Sequence, residues 1–347
     1  MRFTHWIIAS LLIGLFACQK EAKLETEMNE TIYLRSDKHD MPAFVRGNGA
    51  SKVFILVLHG GPGGNGLEYS FGNYAESLES RYAMVYWDQR HQGNSHGSLK
   101  DEDVTLDKMV DDTYNLIRLL KERYGSDISV FLFGHSWGGT LGTAFMVKDD
   151  YQSEVKGWIE ASGAHDIPML NVELVKMIKE IAPVEIAKGN NTSDWQEILD
   201  YANSLDINNI TFDQSGQLNQ YAHRAEGYIQ ELKSGSDGST GLVKYFITNP
   251  SNAAVSGLNG AQLPQSFMED VENASFTDEL HKITTPTLLQ WGKYDFVVPP
   301  ALGYSAYDKI GTSNKTLKIY EFSGHSPMNN EDEQFVADIV DFVEQYK

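Results

Sequence analysis

The pentapeptide Gly134-His135-Ser136-Trp137-Gly138 stands between an apolar β-type run, residues 128–133, and a stretch that reads as helix from about Gly139. A serine placed there sits on a sharp, strained turn, and glycines flank it because larger side chains would collide with the strand and the helix. This junction implies a parallel strand feeding a helix, with the serine exposed at the carboxyl edge of a sheet.

The rest of the chain repeats that rhythm. Strand-like runs over 52–58, 82–87, 128–133, 155–161, 286–291 and 317–322 alternate with helical periods. Residues 106–124 carry apolar side chains at helical spacing and stop at Gly125, as a crossover helix does. A last helix is expected from the stripe Phe335, Val336, Ile339, Val340 and Phe342. The fold class is therefore α/β, a mostly parallel, doubly wound sheet with helices on its faces. Between residues 166 and 280 the strand rhythm gives way to helix-like and polar segments, which implies an inserted, mainly helical cap. The core is expected over 31–165 and 281–347.

At 347 residues, with 41% hydrophobic and 22% charged side chains, the chain suffices for one such core and one embellishment. A formal charge of −20 repels phosphate backbones and anionic lipid headgroups, which argues against a nucleic-acid partner.

The amino-terminal residues belong to targeting. Arg2 precedes an apolar run from Trp6 to Phe16, too short for a permanent span, which ends in Leu15-Phe16-Ala17-Cys18. This ending is similar to a bacterial lipoprotein signal, with residues 1–17 removed, a lipid on Cys18 and residues 18–30 as a polar tether. Cys18 is the only cysteine, so it closes no intramolecular disulfide. The expected location is the bacterial cell envelope, with membrane contact only through that lipid.

A serine hydroxyl is a weak nucleophile at neutral pH and needs a base, which in turn needs an orienting acid. Asp295 follows the 286–291 strand and His325 follows the last strand, so both fall on the same sheet edge as Ser136, in the order serine, acid, histidine. Asp166, after the 155–161 strand, is the rival acid. An oxyanion hole is expected from the Gly61 N–H, in His59-Gly60-Gly61-Pro62-Gly63, and from the Trp137 N–H. The glycines 61, 63 and 66 also fit a dinucleotide-binding G-x-G-x-x-G, with Asp88 as the ribose acid. Pro62 argues against that, because it removes a donor where a pyrophosphate wants one. No metal motif is present, and no cofactor is expected.

His59-Gly60-Gly61-Pro62-Gly63, then Asp88-Gln89-Arg90 with Gly93 and Ser95, then Ser136-Trp137-Gly138, together resemble the proline iminopeptidase branch of the α/β hydrolases. The likeness covers 51–142 and resumes from 286 to the end. It implies an α/β-hydrolase fold and removal of an N-terminal residue, often proline, from short peptides, with cap carboxylates gripping the free amine. Glu226 is the candidate for such a carboxylate. Asp88 and Arg90 are then scaffold groups. The sequence departs from the branch at His135, where a small residue is usual, and at His91-Gln92, where glycine is expected. The alternatives are an esterase or lactonase with the same triad, or a hydrolase-fold protein that binds a small molecule without turnover.

Overall fold

A computed structural model describes residues 23–98, 100–233 and 250–347, so Cys18 and the leader lie outside the described residues. Eight strands form one sheet: β1 (Met28–Ser36), β2 (His39–Gly47), β3 (Val53–Leu58), β4 (Ala83–Trp87), β5 (Ser129–His135), β6 (Gly157–Ala161), β7 (Thr287–Gly292) and β8 (Lys315–Tyr320). Their spatial order is β1-β2-β4-β3-β5-β6-β7-β8, with β1, β2 and β4 joined antiparallel and every pair from β4 to β8 parallel.

The β1–β2 hairpin is the element that the sequence pattern had not marked. Its two-residue turn, Asp37-Lys38, has φ of 45° and 67°. Asn-Gly or Asp-Gly usually occupies that conformation, so Asp-Lys gives little signal. Because β1 begins at Met28 and Glu30 faces Val45 across the ladder, residues 28–30 of the expected tether belong to the sheet.

Alternation along the central strands creates two cores. On β3, Phe54, Leu56 and Leu58 join one cluster and Val53, Ile55 and Val57 the other, and β4 and β5 divide in the same way. Each such side chain, fully removed from water, contributes about 1.5–3 kcal/mol. Helix α2 (Leu106–Tyr124), started by the Thr105 side chain and ended at Gly125, covers the first face together with α3 (Trp137–Val147). Helix α1 (Asn73–Glu79) covers the second with the carboxyl-terminal helix.

Between β6 and β7 lies the helical insertion: α4 (Ile167–Lys188), α5 (Thr192–Ser204), α6 (Phe212–Tyr228), α7 (Pro250–Gly260) and α8 (Gln265–Glu272). Helices α9 (Pro300–Lys309), α10 (Pro327–Asn330) and α11 (Asp332–Tyr346) complete the chain. Among the described residues no helix is long and apolar enough to cross a membrane. Strand order reverses around β3, so the carboxyl ends of β3 and β5 lie side by side, where open α/β sheets leave a crevice.

Candidate active site

Ser136 occupies the turn from β5 into α3 with φ of 57° and ψ of −122°, a strained conformation for a residue with a side chain. The turn is held from both sides: Ser136 N–H donates to the Ala161 carbonyl at 3.2 Å, and its carbonyl accepts from Gly139 and Ala164 at 2.8 and 3.0 Å. A Cβ on Gly138 would penetrate the Leu58 carbonyl, and one on Gly134 would penetrate that of Gly138. Those glycines thus let β3, β5 and α3 meet beneath the serine.

The loops after β7 and β8 carry the acid and the histidine. They are stitched together by Tyr294 N–H to the Ser323 carbonyl, 2.9 Å. Asp295 is fully buried, accepts from Val298 N–H at 2.7 Å, and lies 3.1 Å through each carboxylate oxygen from His325 Nδ1. A carboxylate only accepts, so Nδ1 carries the proton and Nε2 is left with its lone pair. Burial pushes the His325 pKa down, but the charge and hydrogen bond of Asp295 and the charge of Glu226 outweigh it, and the net direction is up.

Asp166, the rival acid, is used elsewhere. It caps α4 by accepting from Met169 N–H at 2.9 Å, and it also accepts from the Ser275 hydroxyl at 2.6 Å.

His325 reaches the Ser136 turn through its neighbour: the His325 and His135 rings lie 4.7 Å apart. His135 Nε2 donates to the His325 carbonyl at 2.8 Å, which leaves Nδ1 to accept from the Tyr69 hydroxyl at 2.6 Å. The Tyr69 oxygen in turn accepts from Gly60 N–H at 2.9 Å. Burial drives the His135 pKa down to about 3, so the ring stays neutral and the chain of bonds keeps one direction. The residue that departs from the branch pattern therefore ties the glycine loop to the histidine loop. Ser136 Oγ makes no hydrogen bond to the His325 ring among the described residues, and such contacts often close only when substrate arrives.

A cavity of about 240 Å³ opens on Ser136. Gly61, Pro62 and Trp137 line it, and neither Gly61 N–H nor Trp137 N–H has an acceptor among the described residues. Ile167, Leu170, Phe212 and Met268 of the insertion supply its apolar walls, so the insertion roofs the serine. The one carboxylate in the lining is Glu272, whose pKa is raised by burial. Sequence reasoning missed Glu272, because an acidic residue ending a short amphipathic helix carries no motif.

Glu226 does not stand among the cavity-lining residues. It turns inward from α6, and its Oε1 accepts from the His325 backbone N–H at 2.9 Å. A surface position on that helix, the ordinary expectation for a glutamate, is thus not what the fold gives it.

The other motif residues hold loops. Asp88 accepts from Gly66 and Asn94 N–H, each at 2.8 Å, and burial raises its pKa to about 6. Gly63 N–H is taken by Gln92 Oε1 at 2.5 Å. The Gly63 and Gly66 donors that a dinucleotide phosphate would need are thus used internally. Arg90, fully buried, forks onto Asp112 at 2.6 and 2.7 Å and also touches His39, Asp103 and Ser36. His91 has φ of 54°, the conformation that favours glycine at this place in the branch.

Residues 53–331 match the family model described as the alpha/beta hydrolase fold. The chain belongs to the α/β-hydrolase family. Among curated relatives of this hydrolase, a proline iminopeptidase of Saccharolobus solfataricus is 26% identical over 295 residues, 84% of either chain. A proline iminopeptidase of Clostridioides difficile is 24% identical over 308 residues, 85% of this chain and 91% of that one. Solved structures place the hydrolase in the same fold. VinJ superposes with a TM-score of 0.62 at 18% identity, covering 92% of this chain and 99% of its own. An esterase of Exiguobacterium antarcticum superposes with a TM-score of 0.58 at 19% identity, covering 91% and 100%.

Proposed function

We propose that this hydrolase is a serine aminopeptidase that removes an N-terminal residue, proline among them, from short peptides through an acyl-enzyme. His325 Nε2 takes the Ser136 proton as Oγ attacks the scissile carbonyl, and the Gly61 and Trp137 N–H groups receive the oxyanion. His325 then protonates the leaving amine, and water releases the acyl group by the same route in reverse. Asp295 fixes the tautomer and stabilises the imidazolium. The observation that carries the reading is the shared cavity: the serine, two unpaired N–H donors and a single half-buried carboxylate face one space. At about 240 Å³ that space is smaller than the usual 300–1,000 Å³ ligand cleft, which suits an acyl group of one residue.

Glu272 is the group that would recognise the substrate amine in this reading, since a cation restores the solvation that burial removed from the carboxylate. Turnover of prolyl and alanyl arylamides with a free amine is expected, and none of their N-blocked counterparts. Glu272→Gln should cost about 2 kcal/mol or more in kcat/KM on the free-amine substrates and leave short-chain ester hydrolysis near wild type. Ester turnover with no arylamide turnover would instead assign an esterase.

His325 must be neutral to act as base, and its pKa is raised, so it stays protonated to higher pH than an ordinary histidine. The acid limb of kcat/KM is therefore expected to have its midpoint above 6.5, with activity lost as pH falls through it. A limb centred below 6.5 would contradict the assignment of the base.

Export and a lipid on Cys18 remain part of this proposal, supported by residues 1–18 of the sequence. Expression of the full-length sequence in bacteria with labelled palmitate should label the processed protein and leave Cys18→Ser unlabelled. A mature protein with an unmodified Cys18 thiol would end that part of the reading.

A further inference from the structure

The peptide that carries His325 is gripped by side chains at both ends. Its carbonyl accepts from His135 Nε2, and its N–H donates to Glu226 Oε1. The backbone N–H of Phe296, the residue after Asp295, also favours the Glu226 carboxylate. One carboxylate of α6 thus joins the loop of the acid to the loop of the histidine. The contact is close: a Cβ on Gly324 would occupy the place of the Glu226 carboxylate, so only glycine leaves room for it. The same end of the insertion is sewn to the histidine loop by Lys233 N–H to the Phe322 carbonyl, 2.9 Å, and by Asn330 Nδ2 to the Lys233 carbonyl, 2.8 Å.

We propose that Glu226 is a positioning residue for the His325–Asp295 pair, a strut from the helical insertion that holds both loops in register. The inference rests on the reading of His325 as the base. Glu226 stands outside the cavity lining: its Oε1 is taken by the His325 N–H, and its Oε2 is buried without a partner. Misplacing a base by about 1 Å costs on the order of 100-fold in rate, so a group that fixes the base's peptide acts on kcat rather than on binding.

Its charge, present above a pKa that burial raises to about 7, acts as well. Asp295 and His325 face Glu226, while His135 and His223 also face His325; Glu331, on the histidine loop, accepts from Phe322 N–H and Ser323 and pairs with Lys233. Asp295 and Glu226 are the two acids on the imidazole, and both favour its protonated form. Removing the Glu226 charge while keeping an oxygen in place should move the His325 titration to lower pH.

The test uses the full chain, a free-amine prolyl arylamide, and a short-chain ester that carries no amine. Glu226→Ala is expected to lower kcat by about 10- to 100-fold on both substrates with KM within about 2-fold of wild type. Glu226→Gln, which keeps a carbonyl oxygen for the His325 N–H, is expected to recover most of kcat and to shift the acid limb of kcat/KM downward. If Glu226→Ala does not fold, the Glu226→Gln limb decides alone. A loss confined to the arylamide, appearing in KM, would make Glu226 a substrate-binding group and overturn the inference. An unmoved acid limb in Glu226→Gln would overturn it as well. Turnover surviving in Ser136→Ala, measured beside these, would instead remove the catalytic reading on which it rests.

Discussion

Ser136→Ala is expected to remove turnover by a factor on the order of 10⁶ in kcat and to abolish labelling by a fluorophosphonate probe. Nothing else in the cavity can take the role: of its lining side chains, Thr140 and Ser215 also bear hydroxyls, but Thr140 donates to the Ala164 carbonyl at 2.5 Å and Ser215 exchanges hydrogen bonds with Asn171. Alanine keeps the Cβ and thus the strained backbone at φ 57°, so the thermal melting temperature should stay close to wild type. Activity lost without loss of fold is what a nucleophile predicts. Substantial probe labelling of the variant would assign the attack to another residue.

Asp295→Asn is expected to lower kcat by a factor on the order of 10⁴, about 5.5 kcal/mol in the barrier. The reason lies in the two acceptors of the carboxylate. Oδ1 receives Val298 N–H at 2.7 Å, so an asparagine would keep its carbonyl oxygen there and turn its amide toward His325 Nδ1. Nδ1 would then have to accept, the ring proton would move to Nε2, and the lone pair that should face Ser136 would be lost. Steady-state kinetics on the variant measure this directly. Near-wild-type rates in Asp295→Asn, together with an inactive Asp166→Asn, would transfer the role to Asp166, although that residue is engaged at the start of α4.

Much of this was legible before folding, and for a physical reason. Central parallel strands are buried on both faces, so β3 and β4 appear as unbroken apolar runs, VFILVL and AMVYW, and the residue after each run is by necessity at the sheet edge. Chemistry-bearing residues that follow such runs are therefore marked twice, by type and by place. Helix α2 was bounded at Leu106 and Tyr124 by its period and its glycine stop, as the structure has it. The β1–β2 hairpin escaped notice, because an edge strand alternates with polar residues and its turn lacks glycine.

The sequence by itself determined the parallel part of the sheet and brought Ser136, His325 and the two candidate acids to its carboxyl edge, since local apolar patterning dictates where strands end. Only the tertiary structure decided what surrounds them. That Asp295 rather than Asp166 meets His325, that Glu272 faces the cavity while Glu226 braces the histidine loop, and that His135 and Tyr69 bind two loops into one follow from contacts across 30 to 190 positions of chain. No period or motif records such contacts, because they are set by how the helical insertion packs on the sheet.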